Sequence, residues 1–165
     1  MYRTLFILTL MIKFILPSNG QDNRPQTEAE LAEWTISKVQ RIVASTDDVL
    51  AEEEPILDTL ATEQGLRILK LWMDGDKALK LAVSEPAGKG EAPGQSTFYF
   101  SDDEMFYASQ PFAKFIFIHG KLQYWLDNQW EPTPASPELL DAREAFLYEE
   151  VNKYLGWIYR GGGDE

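Results

Sequence analysis

The stretch Leu66-Arg67-Ile68-Leu69-Lys70-Leu71-Trp72-Met73 runs into Asp74-Gly75-Asp76 and returns as Ala78-Leu79-Lys80-Leu81-Ala82-Val83. Side chains here repeat with a period of two, that of a strand whose successive residues point to opposite faces. An Asp-Gly pair between two such runs marks a hairpin, because a tight turn needs residues that tolerate positive φ. The same grammar continues downstream. Ser96 to Phe100 turns at Asp102-Asp103 and returns as Met105 to Ser109. Beyond Pro111, Phe112 to Ile118 turns at His119-Gly120 and returns as Lys121 to Leu126. Six strands joined in this way make an antiparallel meander of three hairpins. Glu85 to Gln95, with its prolines and glycines, reads as a loop.

On either side of this block the period lengthens to that of a helix. Thr27-Glu28-Ala29-Glu30 fits a capping box, and Leu31, Ala32, Ile36, Val39, Ile42 and Val43 share one face, predicting an amphipathic helix over 28–44. Residues 45–64 give conflicting signals. Pro55 to Glu63 reads as a short helix with proline at its first position and Gly65 closing it, against an edge strand near Val49. Pro132, Pro134 and Pro137 mark a linker, and Ser136-Pro137 opens a second long helix, over about 138–158. A disordered tail is expected over 160–165. The fold class predicted is α+β: a six-stranded antiparallel meander with an N-terminal and a C-terminal helix packed on one face.

Alternation sorts the strand residues into two sets. The first comprises Leu69, Leu71, Met73, Leu79, Leu81, Val83, Phe98, Phe100, Phe115, Phe117, Leu122, Tyr124 and Leu126, which should pack on the helices. The second comprises Ile68, Lys70, Trp72, Ala78, Lys80, Ala82, Tyr99, Ile116, Gln123 and Trp125. Within it Trp72, Tyr99, Ile116 and Trp125 form either a smaller second core or an exposed aromatic patch that binds a ligand or partner.

Composition narrows the functional classes. The 165 residues carry 15 basic and 27 acidic side chains, a formal net charge of -12, with no cysteine and one histidine. That field works against binding to nucleic acid or an anionic bilayer. Without cysteine there is no thiolate nucleophile, zinc ribbon or iron–sulfur cluster. Residues 1–20 differ in kind. Arg3 is followed by an apolar run from Thr4 to Leu16 interrupted by Lys13, then Pro17 and the small residues of Ser18-Asn19-Gly20. This is the pattern of a secretory signal peptide cleaved after Gly20, too short to span a bilayer. Cleavage removes Arg3 and Lys13, leaving 13 basic and 27 acidic residues and a net charge of −14. The expected product is an exported periplasmic or extracellular protein with a flexible lead-in over 21–26, one domain over 27–159 and no membrane span.

No catalytic motif stands out. His119 precedes Gly120 in a turn, which explains it without a catalytic role. Asp74-Gly75-Asp76 and Asp102-Asp103-Glu104 offer oxygen ligands but lack the spacing of a calcium loop, and carboxylates favour turns in any case. Gly88-Lys89-Gly90 lacks the spacing of a phosphate-binding loop. The expectation is therefore no catalytic residue, no metal and no cofactor.

Phe98-Tyr99-Phe100-Ser101-Asp102-Asp103 and Phe115-Ile116-Phe117-Ile118-His119-Gly120-Lys121-Leu122 carry a resemblance. Over about 66–127 the chain resembles small exported Gram-negative envelope proteins of unassigned activity, built on an aromatic strand, a Gly-Lys-Leu turn and a return strand. The Gly-Lys-Leu hairpin is also similar to MORN-type repeats. The resemblance implies an extracytoplasmic location and carries over no site residue. Gly75-Asp76 and Asp102-Asp103 depart from the Gly-Lys pattern. The functional expectation is a non-enzymatic binding protein whose partner is an envelope protein or an apolar ligand. The alternatives are a carrier of lipid in a cavity between sheet and helix, and a carboxylate-dependent hydrolase.

Overall fold

The computed structural model describes residues 27–85 and 94–161. The expected signal peptide, the lead-in, most of the 85–95 loop and the last residues of the tail lie outside the described residues. The elements are α1 (Glu28–Leu50), β1 (Ile56–Thr62), β2 (Gly65–Asp74), β3 (Lys77–Ser84), β4 (Gln95–Ser101), β5 (Glu104–Gln110), β6 (Ala113–Ile118), β7 (Lys121–Leu126) and α2 (Pro137–Tyr159).

Both helices start where their capping residues lie. The Thr27 hydroxyl accepts from the Glu30 N–H at 3.1 Å, and the Glu30 carboxylate accepts from the Thr27 N–H at 3.2 Å. Ser136 caps α2, with Pro137 in the first turn. α1 continues six residues beyond the predicted end at 44. Ser45, Thr46, Asp47 and Asp48 are indifferent helix formers, but Leu50 is buried and Asp47 is bound to the sheet, so tertiary contacts override propensity.

Ile56–Thr62 is a strand, not the short helix predicted for Pro55 to Glu63. It pairs antiparallel with β2 through a two-residue turn at Glu63-Gln64, closed by Thr62 opposite Gly65. Pairing with β2 and burial of Leu60 outweigh the proline signal. The sheet therefore has seven strands, in the order β1-β2-β3-β4-β5-β6-β7.

The helices pack on opposite faces of this sheet, correcting the expectation that both share one. Beneath α2, Leu147, Val151, Tyr154 and Ile158 meet Leu69, Leu71, Leu81, Val83, Phe98, Phe115, Phe117 and Leu122. Beneath α1, Ile36 and Val39 meet Tyr99, Tyr107, Ile116 and Leu126. The sheet's centre is apolar on both sides, and one helix can shield only one of them.

Three bulges explain where simple alternation fails. Trp72 opposes Lys80 but Met73 opposes Ala78, leaving Leu79 as the extra residue. Tyr99 opposes Tyr107 but Phe100 opposes Met105, leaving Phe106. Ile116 opposes Tyr124 but Phe117 opposes Leu122, leaving Gln123. Each extra residue inverts the inside–outside parity of its strand. Ala78 accordingly joins the α2-side core, Tyr124 and Leu126 turn to the α1 side, and Trp125 turns to the α2 side. No helix among the described residues is long and apolar enough to cross a membrane.

Candidate binding pocket

α1 crosses its face of the sheet close to the tips of two hairpins. In the β4–β5 turn Asp102 and Asp103 have φ of 51° and 66°, and in the β6–β7 turn His119 and Gly120 have 52° and 72°. Two successive positive φ values are those of the turn whose twist matches a hairpin. Asp and His tolerate this conformation better than most residues, which accounts for their presence. At the first tip Asp102 also accepts from the Lys77 ammonium at 3.2 Å, tying two neighbouring hairpins together.

Between these tips and α1 lies a pocket of about 170 Å³. Trp34, Val39 and Ile42 form the helical wall, Phe106 and Ile116 the sheet side, and Lys38, Asp102, Glu104 and His119 also line it. The β5 bulge is what makes Phe106 part of this wall, since the extra residue faces α1 rather than α2. Trp34 and Lys38 are one helical turn apart, so the ammonium sits 4.9 Å from the centre of the indole. The pocket thus sets an aromatic and apolar wall beside charges of both signs, Lys38 on the helix and Asp102 and Glu104 at the hairpin tip.

A polar latch holds α1 over this face. The Tyr99 hydroxyl donates to both Asp47 carboxylate oxygens, at 2.9 and 3.1 Å, and the Lys80 ammonium donates to Oδ1 at 2.6 Å. Burial and the adjacent Asp47 carboxylate push the Tyr99 phenol far above its ordinary range. Burial, with a smaller contribution from Asp47, raises Tyr107 to about 12. Tyr107 also stacks on Trp130 with ring centres 5.2 Å apart, closing the far side of this second core.

The four predicted site residues do not form one exposed patch. Tyr99 is 3% exposed and Ile116 fully buried under α1, where Ile116 also lines the pocket. Trp72 is half-buried on the same face, its indole N–H donating to the Glu53 carbonyl at 3.2 Å. Trp125 lies on the opposite face, against Phe115, with the Arg143 guanidinium 4.8 Å from its ring centre. For Tyr99 and Ile116 the second-core arrangement is the one observed. The pocket residues that sequence reading missed are Trp34, Lys38 and Phe106. Trp34 and Lys38 were detectable as an aromatic–cation pair at helical spacing, but Phe106 depends on a bulge.

On the α2 face Arg67 is the centre of a second polar cluster. Its guanidinium donates to the Tyr154 hydroxyl at 2.7 Å and to Gln64 at 3.1 Å, and pairs with Glu85 at 2.9 Å. Glu85 in turn accepts from the Ser96 hydroxyl at 2.6 Å, and Tyr154 donates to Glu150 at 3.1 Å. These bonds join strands to helix and use the charges against one another, a structural arrangement. Among the described residues no three histidine or carboxylate side chains converge to hold a metal ion. Comparison with known proteins finds no family model, no curated protein and no solved structure that matches the chain.

Proposed function

We propose that the protein is an exported, non-enzymatic binding protein whose recognition site is the pocket between α1 and the β4–β5 and β6–β7 tips. The observation that carries this reading is the pocket itself: about 170 Å³, with apolar and aromatic walls and Lys38, Asp102 and Glu104 among its lining residues. Such a volume suits one side chain or ring, since a cavity of about 150 Å³ admits benzene. The occupant is an apolar side chain of a partner segment with basic character, given the acidic net charge of -12. Export rests on the residue 1–20 pattern and on the resemblance to envelope proteins.

A lipid carrier gains no support from this geometry. Drug-sized ligands need roughly 300–1,000 Å³, and the layer between sheet and α2 is filled by Leu69, Leu71, Leu81, Phe98, Phe115 and Leu147 at zero exposure. A hydrolase would need a converging acid–base pair, and the carboxylates held inside the fold, Asp47, Glu85 and Glu150, are each bound to structural partners.

The test uses phenethylamine and phenylacetate as probes, followed by nuclear magnetic resonance at the Trp34 indole and the Ile116 methyl groups. Saturable shifts with the amine, weaker ones with the acid, and loss of both when Ser101, which also lines the pocket, is enlarged in Ser101→Phe are expected. No shift with either probe at millimolar concentration, or unchanged shifts in the filled variant, would refute the assignment.

A further inference from the structure

On the reading that the α1 pocket is the recognition site, we propose that its occupant is a phenol ring, a tyrosine side chain of the partner segment, and that Thr35 distinguishes it from a plain phenyl ring.

Thr35 breaks the pattern of its helix face. Thr35, Val39 and Ile42 follow one another at four- and three-residue spacing and line the pocket together. With Ile36 they make the stripe that α1 turns to the sheet, and Thr35 is its polar member, only 6% exposed. Valine has the same branched shape and brings no hydroxyl to satisfy.

The usual outlet for such a hydroxyl is not taken. A threonine inside a helix can donate to the carbonyl one turn back. Thr46, on the same helix, does so, bonding the Ile42 carbonyl at 2.8 Å. The Thr35 hydroxyl makes no hydrogen bond with any described residue. Nor is its oxygen sealed in, since the enclosed side-chain atoms without a partner, among the described residues, are Arg67 Nε and Trp157 Nε1. A hydroxyl on a buried residue that is neither bonded nor enclosed opens on the space it lines, which here is the pocket. Ser101 also lines the pocket with a hydroxyl that makes no such bond, but Ser101 is only half-buried and water reaches it.

The rest of the pocket suits a ring. Trp34 and Phe106 supply aromatic walls, and Val39, Ile42 and Ile116 apolar ones. A cavity of about 150 Å³ holds benzene, so about 170 Å³ leaves room for one more heavy atom and none for a second ring. A phenol fills that room with a group that both donates and accepts, as the threonine hydroxyl does. Of the other side chains that carry a hydrogen-bonding group on a ring, indole exceeds the volume, and imidazole sets a second polar nitrogen against an apolar wall. A phenyl ring would strip water from the Thr35 hydroxyl and leave it unpaired, so the site discriminates against the ring that lacks the oxygen.

Tyramine and phenethylamine differ by that one hydroxyl. Titration of the full chain with each, followed by nuclear magnetic resonance at the Trp34 indole, compares wild type with Thr35→Val and Thr35→Ser. Tyramine should bind wild type about fivefold more tightly, the contribution of roughly one neutral hydrogen bond. The preference should vanish in Thr35→Val and persist in Thr35→Ser. Thr35→Val should also melt no lower than wild type, because it removes a hydroxyl that the fold does not use. Equal affinity of wild type for the two amines would overturn the proposal and leave the pocket as a binding site, whereas no binding of either amine would refute both. A preference for tyramine that survives in Thr35→Val would overturn it too. So would a marked fall in the melting temperature of that variant, by giving the hydroxyl a structural role.

Discussion

Raising the pH from 9 to 11 should destabilise this protein through three buried phenols. In the folded chain burial raises Tyr107 to about 12, and burial with a neighbouring carboxylate, Asp47 or Glu150, holds Tyr99 and Tyr154 higher still. In the unfolded chain all three return to about 10. Below pH 10 both states keep their protons and stability is unaffected. Between pH 10 and about 12 the unfolded chain releases protons that the folded chain retains, so stability falls as pH rises. At pH 11 each phenol accounts for about 1.4 kcal/mol, and the three together for about 4 kcal/mol. That is a large part of a total of roughly 5–15 kcal/mol. Urea unfolding at both pH values measures it directly. Tyr107→Phe removes one ionising group and should shrink the loss between pH 9 and 11 by about a third, which separates the phenols from lysine deprotonation common to both chains. Absorbance at 295 nm should show fewer than the seven tyrosines ionised in the folded chain at pH 11. Complete ionisation without unfolding, or an unchanged loss in Tyr107→Phe, would refute the reasoning.

Leu147→Ala should destabilise the chain by about 3 kcal/mol in urea, since Leu147 is fully buried where α2 meets the sheet. Tyr99→Phe deletes the hydroxyl of the latch and should cost about 1 kcal/mol, with Asp47→Ala adding much less on top of it than alone. His119→Val forces a β-branched residue to a φ of 52° and should lower stability by about 1–2 kcal/mol, whereas His119→Asn should be close to neutral on thermal melting. Arg143→Ala removes a guanidinium packed against Phe115, Trp125 and Phe146, and a loss of about 1 kcal/mol is expected.

The α+β class, the antiparallel meander and both capped helices were legible because they rest on local chemistry. Period-two runs, turn residues that tolerate positive φ, and Thr27 and Ser136 at helix starts each act within a few residues. What failed depends on distant partners. β1 was hidden because Pro55 and Gly65 mimic helix boundaries, and its strand conformation is decided by pairing with β2. The end of α1 was hidden because Asp47 is held by Lys80 and Tyr99, 33 and 52 residues away in the chain.

The placement of the helices follows from the same argument. A set of strand residues can be assigned to one face only if parity survives from one end of each strand to the other. Here three of the hairpins reset it near their turns, at Leu79, Phe106 and Gln123. Gln123 moved Trp125 to the α2 side, dividing the aromatic group that alternation had assembled, and brought Tyr124 and Leu126 beneath α1. Phe106, with Tyr99, Tyr107 and Ile116, made the second face apolar enough to require a helix of its own. The bulges thus account for three departures together: a sheet covered on both sides, a predicted patch that is split and half buried, and a pocket where α1 meets the hairpin tips. A bulge leaves little trace in hydrophobicity, because Leu79 and Phe106 are as apolar as the residues they displace. Its trace is the steric demand of the turn beside it, at Gly75, at Asp102-Asp103 and at His119-Gly120, each within four residues of the extra residue. Parity in a meander is therefore best counted toward each turn from both sides and never through it.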